Sequence, residues 1–372
     1  MSKMKNECLC PKCFSKIHSG NKQYICSNLA QWANCTNANN RVLIKLDKPV
    51  VRPKCNICNA ELKTVICYNC GFEIPNDLFY TDNFPIAVIG AKAAGKTNYV
   101  AVLIDQLKGD VGRSFNCALK ASGEGTISRY KTEFYNPIFR NKECPQGNIA
   151  GEVEPLIYTL MLGGEKKLFG STAPKSIMLT FFDTAGENLD SKTMLQSHNR
   201  YISFSSGIIL LLDPLQLPGV REQLTGKINL PAEHTDPVEI ITRITDIIRE
   251  GNNIREGYIN IPLAVVFTKI DAVSTLLDPS SSLHNNSIHI QKGAFDKKDF
   301  NDINTEIQSL VDEWAGKELH NTINKNYNNY GYFGLSALGS NPVDNKITKF
   351  RPFRVTDPFL WLLSINKIIK TI

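Results

Sequence analysis

The chain has 372 residues, 42% of them hydrophobic, which is enough for one large core and a smaller accessory unit. The first thirty residues are polar and contain cysteines, and no apolar run reaches the roughly twenty residues that a bilayer requires, so we expect a cytoplasmic protein without a membrane span. The net charge of +6 lies mainly in the first 80 residues, with 11 Lys+Arg against 5 Asp+Glu, but two four-thiolate zinc sites would reduce it to about +2. Charge alone therefore argues only weakly for nucleic-acid binding.

Nine of the eleven cysteines lie between positions 8 and 70, a clustering that indicates metal binding in a reducing compartment. The stretch "CNICNAELKTVICYNC" contains two Cys-x2-Cys pairs separated by eight residues, long enough for a short hairpin that brings the pairs face to face. Four sulfurs in tetrahedral geometry suit zinc. We therefore predict one structural zinc site at Cys55, Cys58, Cys67 and Cys70.

A third Cys-x2-Cys pair lies upstream of this stretch, with two single cysteines following it. They predict a second structural zinc site at Cys10, Cys13, Cys26 and Cys35, for which Cys8 and His18 are competing ligands. Neither site resembles an open catalytic zinc, because no base accompanies the ligands.

The stretch "AVIGAKAAGKTNYV" has the sequence form of a phosphate-binding loop, an apolar strand followed by G-x-x-x-x-G-K-[ST] and a helix. Lys96 would reach the β- and γ-phosphates, Thr97 would offer its hydroxyl to magnesium, and the helix would add its N-terminal dipole. The predicted nucleotide-binding set here is Gly90, Ala91, Lys92, Ala93, Ala94, Gly95, Lys96, Thr97 and Asn98.

A second hydrophobic strand ends in "DTAGE", residues 183–187. The Asp183 carboxylate can hold magnesium through water, and Gly186 can give its N–H to a γ-phosphate because no side chain blocks the approach.

Two later strand ends predict which base is bound. Thr268, Lys269 and Asp271 form T-K-x-D, in which the Asp can accept two hydrogen bonds from the N1–H and the exocyclic amine of guanine, groups that adenine does not offer. The Lys269 stem can cover the base. The last strand leads into Ser336, Ala337 and Leu338, whose backbone N–H groups can contact the guanine carbonyl oxygen.

The order P-loop, D-x-x-G, T-K-x-D, S-A-L resembles that of translation-factor-class (TRAFAC) P-loop GTPases, over roughly residues 85–372. With the cysteine-rich head and the closing "DPFLWLL" helix, the chain is more narrowly similar to bacterial double-GTPase families proposed to act in multi-gene conflict systems. The resemblance implies the roles already assigned to Lys96, Thr97, Asp183, Gly186, Lys269, Asp271 and Ala337.

The chain departs from that pattern in three places. Switch GTPases usually place a Thr before the second strand, predicted here at residues 155–162, but none occurs between Thr132 and Thr159. Glu187 stands where many relatives carry a Gln that orients water, and its negative charge near a phosphate predicts slow unaided hydrolysis. Lys92 is a candidate internal stand-in for an arginine finger, or else a solvated lysine.

The predicted fold is α/β, a doubly wound, mostly parallel P-loop domain behind two small zinc ribbons. We assign residues 1–80 to the ribbons, at about 8–36 and 53–73, and 81–372 to the GTPase domain, with insertions at about 109–154 and 272–300. Residues 279–300 are expected to form a surface loop or a partner contact.

The predicted function is a GTP-binding regulatory switch that needs Mg²⁺ and two zinc ions and acts in a multi-protein system, such as an anti-phage or conflict system. We expect it to hydrolyse GTP slowly unless a protein partner, such as a second GTPase or an effector, stimulates it. The alternatives are a non-hydrolysing pseudo-GTPase scaffold and a nucleotide-gated zinc-ribbon nucleic-acid binder.

Overall fold

The structure is a computed structural model, and it describes residues 5–27, 35–46, 50, 52–146, 154–163, 166–167, 170–171, 175–183, 200–228, 230–232 and 236–372. Within these ranges, no helix is both long enough and apolar enough to cross a bilayer.

The cysteine-rich N-terminal region, hereafter the head, consists of short strands around a small core. Its elements are β1 (Glu7–Leu9), β2 (Lys16–His18), β3 (Gln23–Ile25), α1 (Thr36–Asn39), β4 (Ile44–Lys45), β5 (Thr64–Ile66) and β6 (Glu73–Ile74). Strands β1 and β2 form a hairpin, and the others form an antiparallel sheet in the order β4-β3-β5-β6. Because β3 pairs with β5, the two segments predicted as separate ribbons share one sheet, which corrects the predicted division of the head.

A seven-stranded sheet forms the centre of the molecule, in the order β15-β14-β13-β7-β12-β9-β8. Its strands are β7 (Asp82–Gly90), β8 (Cys117–Ala121), β9 (Leu156–Leu162), β12 (Lys175–Asp183), β13 (Gly207–Leu212), β14 (Leu263–Phe267) and β15 (Tyr330–Gly334); a small hairpin, β10 (Lys166–Lys167) and β11 (Gly170–Ser171), lies between β9 and β12. Strands β15, β14, β13, β7 and β12 pair in parallel, whereas β9 pairs antiparallel with both β12 and β8, so β9 is the one strand of this sheet that runs opposite to the others. The mostly parallel α/β sheet agrees with the predicted fold class, and β9 (Leu156–Leu162) corresponds to the strand predicted at residues 155–162.

Helices cover both faces of this sheet. They include α2 (Lys96–Lys108), α3 (Asp110–Ser114), α4 (Glu124–Arg129), a π-helical segment (Tyr130–Asn141), α5 (Pro218–Leu224), α6 (Pro237–Gly251), α7 (His289–Lys292), α8 (Lys297–Trp314), α9 (Lys317–Asn326) and α10 (Asp357–Ile365). The Asp236 carboxylate caps α6 by accepting from the backbone of Val238 and Glu239, as its Asp-Pro sequence indicates.

The strand residues alternate between two hydrophobic cores, as the pleat of a sheet requires. Ile86 and Val88 of β7 belong to a core with α2 and α10, whereas Ala87 and Ile89 belong to a core with α6, α8 and α9. A third core joins the head to the sheet, since Ile157 and Met178 pack among head residues.

The segment 279–300 is not the surface loop that its polar composition predicts. It contains α7 and the start of α8, and His289 and Phe295 are buried against each other, with ring centroids 4.5 Å apart. Two buried anchors spaced among polar residues are too sparse to produce a recognisable periodic pattern, which explains the error.

Candidate functional site

The predicted nucleotide-binding residues follow the carboxyl ends of neighbouring parallel strands. The phosphate loop follows β7, Asp183 ends β12, and Thr268 follows β14; Asp213, which was not a predicted site residue, follows β13. In parallel α/β sheets these ends lie at one edge, where ligands bind. The sheet register aligns the ends of β7, β13 and β14, because Leu211 of β13 lies beside Gly90 of β7 and Leu212 lies beside Phe267 of β14.

The phosphate loop is shaped by its two glycines and its lysine. A Cβ atom at Gly90 would lie 2.5 Å from the Leu211 carbonyl oxygen, so a side chain there would displace the neighbouring strand or the loop. Gly95 has φ +83°, a left-handed conformation that L-residues rarely adopt, and the space a Cβ would enter is open. The Lys96 ammonium donates to the carbonyl oxygens of Gly90 and Ala91, at 2.9 and 2.8 Å. The lysine therefore lies folded over the loop at the N-terminus of α2.

A cavity of about 180 Å³ opens beside this loop. It is lined by nine of the predicted nucleotide-binding residues, namely Ala93, Gly95, Asn98, Thr268, Lys269, Asp271, Ser336, Ala337 and Leu338. The structure thus brings together residues separated by more than 200 positions in the sequence. We call this space the base cavity.

Asp271 has the most informative environment in the base cavity. Its Oδ1 atom is buried and has no hydrogen-bond partner among the residues that the structure describes. A buried acceptor without a partner costs about 1–3 kcal/mol, and more when it is charged. A bound molecule with N–H donors on one edge would remove that cost.

Lys269 and Asp213 form an ion pair at the wall of the base cavity. The Lys269 ammonium lies 2.6 Å from Asp213 Oδ2, and the Asp213 side chain is completely buried. Asp213 Oδ1 accepts from the backbone N–H of Leu215 at 3.0 Å. The pair was not foreseen from sequence, because Lys269 lies 56 positions downstream of Asp213.

Asn98 and Cys144 also line the base cavity, and only the first of them was predicted from sequence. Asn98, which was predicted, has a buried Oδ1 atom that lacks a partner within the described ranges. Cys144, which was not predicted, lines the same cavity, held by a bond from its backbone N–H to the Asn345 carbonyl at 3.0 Å. Burial raises the pKa of the Cys144 thiol, which makes it a neutral, apolar wall. A single cysteine in a long insertion gives no sequence signal of this placement.

Several predicted site residues do not line the base cavity, and two of them lie outside the described residues. Asp183 ends β12 beside Val88 of β7, whereas Gly186 and Glu187 fall outside the described residues. Lys92 is exposed on the phosphate loop, and its carbonyl accepts from Gln216. Thr132, the nearest threonine before β9, lies in the π-helical segment with its hydroxyl bonded to the Ser128 carbonyl at 3.0 Å.

The eight predicted zinc ligands form two tetrads, but the grouping differs from the prediction. One tetrad is Cys10, Cys13, Cys67 and Cys70, and the other is Cys26, Cys35, Cys55 and Cys58. The first and last Cys-x2-Cys pairs thus combine across the head, because the pairing of β3 with β5 interleaves its two halves. Neither Cys8 nor His18 belongs to a tetrad. All eleven cysteines are free thiols.

The sulfur spacings in both tetrads are compatible with zinc. Ligands about 2.3 Å from a tetrahedral ion lie about 3.8 Å from one another. The sulfur atoms of Cys10 and Cys70 are 3.7 Å apart and those of Cys13 and Cys67 are 3.6 Å apart. In the second tetrad the Cys26–Cys58, Cys35–Cys55 and Cys26–Cys35 distances are 3.5, 3.7 and 3.8 Å. In the second tetrad the Asn37 amide also donates to Cys55 Sγ at 3.4 Å, as supporting groups around metal ligands often do.

A third cluster of potential ligands, His289, Asp299 and Asp357, has a structural explanation. Arg354 lies among these side chains, with its guanidinium 2.8–2.9 Å from Asp299 and 2.8 Å from Asp357. Burial lowers the pKa of His289, and its Nδ1 atom accepts the backbone N–H of Asp296 at 3.0 Å. The arginine supplies the positive charge that a metal would supply, so we interpret the cluster as a link between α7, α8 and α10.

The head contacts the domain beside the D-x-x-G strand. Phe14, which directly follows the Cys10–Cys13 pair, lies with its ring centroid 5.6 Å from that of Phe182 and 5.7 Å from that of Phe204. Phe182 in turn stacks on Tyr201 at 4.9 Å. The Arg200 guanidinium donates to the Cys13 carbonyl at 3.3 Å. The contact therefore includes Phe182, just before Asp183, and the helical residues 200–203 that resume the described chain.

Comparisons with known proteins find similarity both in sequence and in structure. No protein-family model matches the chain. The chain is 25% identical over 324 residues, 80% of its length and 79% of the relative's, to SaeC of Mycolicibacterium smegmatis, named as an ESX-1 scaffolding and assembly protein. A solved structure of the small GTPase Arl6 (BBS3) from Trypanosoma brucei with the nucleotide analogue GppNp aligns with 77% of this chain and 98% of its own, at 12% identity and a TM-score of 0.32. Neither similarity is strong enough to assign the chain to a family.

Proposed function

We propose that the protein binds GTP and GDP in the base cavity and phosphate loop, hydrolyses GTP slowly, and acts as a switch with a protein partner. The observation that carries the proposal is the buried Asp271 Oδ1 atom, which has no hydrogen-bond partner within the described ranges and lies in a cavity directly beside the phosphate loop.

The base cavity suits guanine better than adenine. Guanine presents an N1–H and an amino group on one edge, and a carboxylate accepts both, whereas adenine presents no such pair of donors. We propose that Asp271 accepts these bonds, that the Lys269 stem covers the base, and that the backbone of Ala337 contacts the base carbonyl. All three residues line the cavity.

The phosphates would extend from the base cavity along the loop to the start of α2. Backbone N–H groups of the loop, the Lys96 ammonium and the helix dipole all favour negative charge there. Lys96 would exchange its bonds to Gly90 and Ala91 for phosphate oxygens. Thr97, in the first turn of α2, and Asp183, at the end of β12, would hold Mg²⁺, which neutralises phosphate charge when bound.

We propose that hydrolysis is slow without a partner. Glu187 follows the D-x-x-G sequence and would bring negative charge toward the phosphates, which opposes the charge stabilisation that phosphoryl transfer needs. The Thr132 hydroxyl is already bonded within its own helix, which supports a closing contact made by another group. That group would be Lys92 or a residue of the partner.

A protein partner fits the head better than a nucleic acid does. Several head cations face carboxylates, including Lys16 with Glu7 at 3.5 Å and Arg41 with Glu73 at 2.6 Å. Paired cations contribute less to phosphate binding than free ones. The scaffolding and assembly role named for SaeC supports a multi-protein setting, and the position of Phe14 beside the D-x-x-G strand supports a head that responds to the nucleotide.

Phosphate release from GTP under single-turnover conditions tests the proposal. We expect a slow, Mg²⁺-dependent release that Lys96→Ala abolishes and that a cognate partner accelerates. Lys108→Ala is the matched control, because Lys108 lies at the other end of α2. Release at the rate of free GTP in water, with tight GTP binding, would identify a nucleotide-holding scaffold instead.

A further inference from the structure

Two buried polar side chains in the turn after β13 connect the two halves of the nucleotide site. Asp213 and Gln216 are 2% and 1% exposed, in a stretch whose other residues, Pro214 and Leu215, are also buried. Strand β13 lies between β7, which leads into the phosphate loop, and β14, which leads into T-K-x-D. The turn can therefore reach both.

Asp213 holds the base side of the site. Its Oδ2 atom is 2.6 Å from the Lys269 ammonium, and its Oδ1 atom is fixed by the N–H of Leu215. Lys269 also has φ +52°, a left-handed conformation that is unfavourable for a residue with a side chain. A strained backbone with a tethered ammonium leaves the lysine stem little freedom, which is what a group that covers a base requires.

Gln216 holds the phosphate side. Its Nε2 atom donates to the Lys92 carbonyl at 2.9 Å. The next residue of the phosphate loop, Ala93, has a left-handed backbone with φ +61°. The backbone N–H of Gln216 donates to the Asp213 carbonyl at 3.0 Å, so the two side chains belong to one closed turn. Neither side chain lines the base cavity, and both act through residues of the site.

We propose that Asp213 and Gln216 are positioning residues, which fix Lys269 over the base and the phosphate loop under the phosphates, and so set the distance between the two subsites. The inference rests on the proposed nucleotide binding. It predicts that the two residues contribute to nucleotide affinity by separate routes, Asp213 through Lys269 and Gln216 through the loop.

A double-mutant cycle on GTP affinity tests this separation. We expect Asp213→Asn, which keeps the side-chain shape, to weaken GTP binding about tenfold in the otherwise native protein and to have almost no effect when combined with Lys269→Met. Gln216→Leu should weaken GTP binding by the same factor whether or not Lys269 is replaced. A purely structural role would not produce this contrast between the two residues.

The readouts separate the possible failures. Affinity is titrated on folded protein, with the unfolding midpoint of every variant recorded, and Asp213→Ser enters the same cycle in case Asp213→Asn does not fold. The inference would be overturned if Asp213→Asn weakened GTP binding by the same factor in the native protein and in Lys269→Met. It would also be overturned if neither the Asp213 nor the Gln216 replacement weakened GTP binding. Either result would leave the proposed GTP binding of the native protein intact. No GTP binding by the native protein would overturn both the inference and the proposed function.

Discussion

Replacement of Asp271 by asparagine should reverse the base preference of the site. The carboxylate would otherwise accept two hydrogen bonds from guanine, and bonds to a charged group contribute about 1.5–3 kcal/mol each. Because the Oδ1 atom is buried, solvent screening is weak. We expect Asp271→Asn to lose about 3–6 kcal/mol of GTP binding free energy, which corresponds to about 10²- to 10⁴-fold in affinity. The asparagine amide can donate to the C2 carbonyl of xanthine, so affinity for xanthosine triphosphate should rise.

Calorimetric titration of GTP and xanthosine triphosphate into both proteins measures this exchange. Asp246→Asn, a change of the same chemistry at an exposed position of α6, is the control and should bind GTP as the native protein does. Unchanged GTP affinity in Asp271→Asn would show that the carboxylate does not contact the base, and the T-K-x-D assignment would be wrong.

The remaining predictions concern the loop, the head and their connection. Gly90→Ala should lower the free energy of unfolding by about 1–3 kcal/mol, because its Cβ would overlap a β13 carbonyl, and an unchanged urea midpoint would contradict the loop geometry. The native protein should contain two zinc ions by elemental analysis. Replacing Cys10 and Cys67 together by serine should remove one ion, because both belong to one tetrad, whereas replacing Cys10 and Cys26 should remove both ions. The opposite pattern would support the grouping inferred from sequence. Phe14→Ala should change the ratio of GTP to GDP affinity about fivefold or more in competition titrations, and a ratio equal to that of the native protein would show that the head does not sense the nucleotide.

The parts of the fold that follow short-range rules were predictable from sequence. Continuous apolar runs indicated the central strands, and the glycines and the Lys-Thr pair indicated a loop between β7 and α2. The residues after β14 and β15 were expected to contact the same base, and they line one cavity with the loop.

The failures concern long-range partners. Three Cys-x2-Cys pairs and two single cysteines can be combined in several ways, and sequence proximity favours the wrong combination because it carries no information on the pairing of β3 with β5. The Asp213–Lys269 ion pair and the placement of Cys144 depend likewise on which strands are neighbours. Only the sheet order makes these contacts visible.

Competition between GTP and ATP for the native protein, in the presence of Mg²⁺, tests the central claim most directly. A guanine site built on Asp271 should bind GTP at least about 100-fold more tightly than ATP. Equal affinities for the two nucleotides would contradict it.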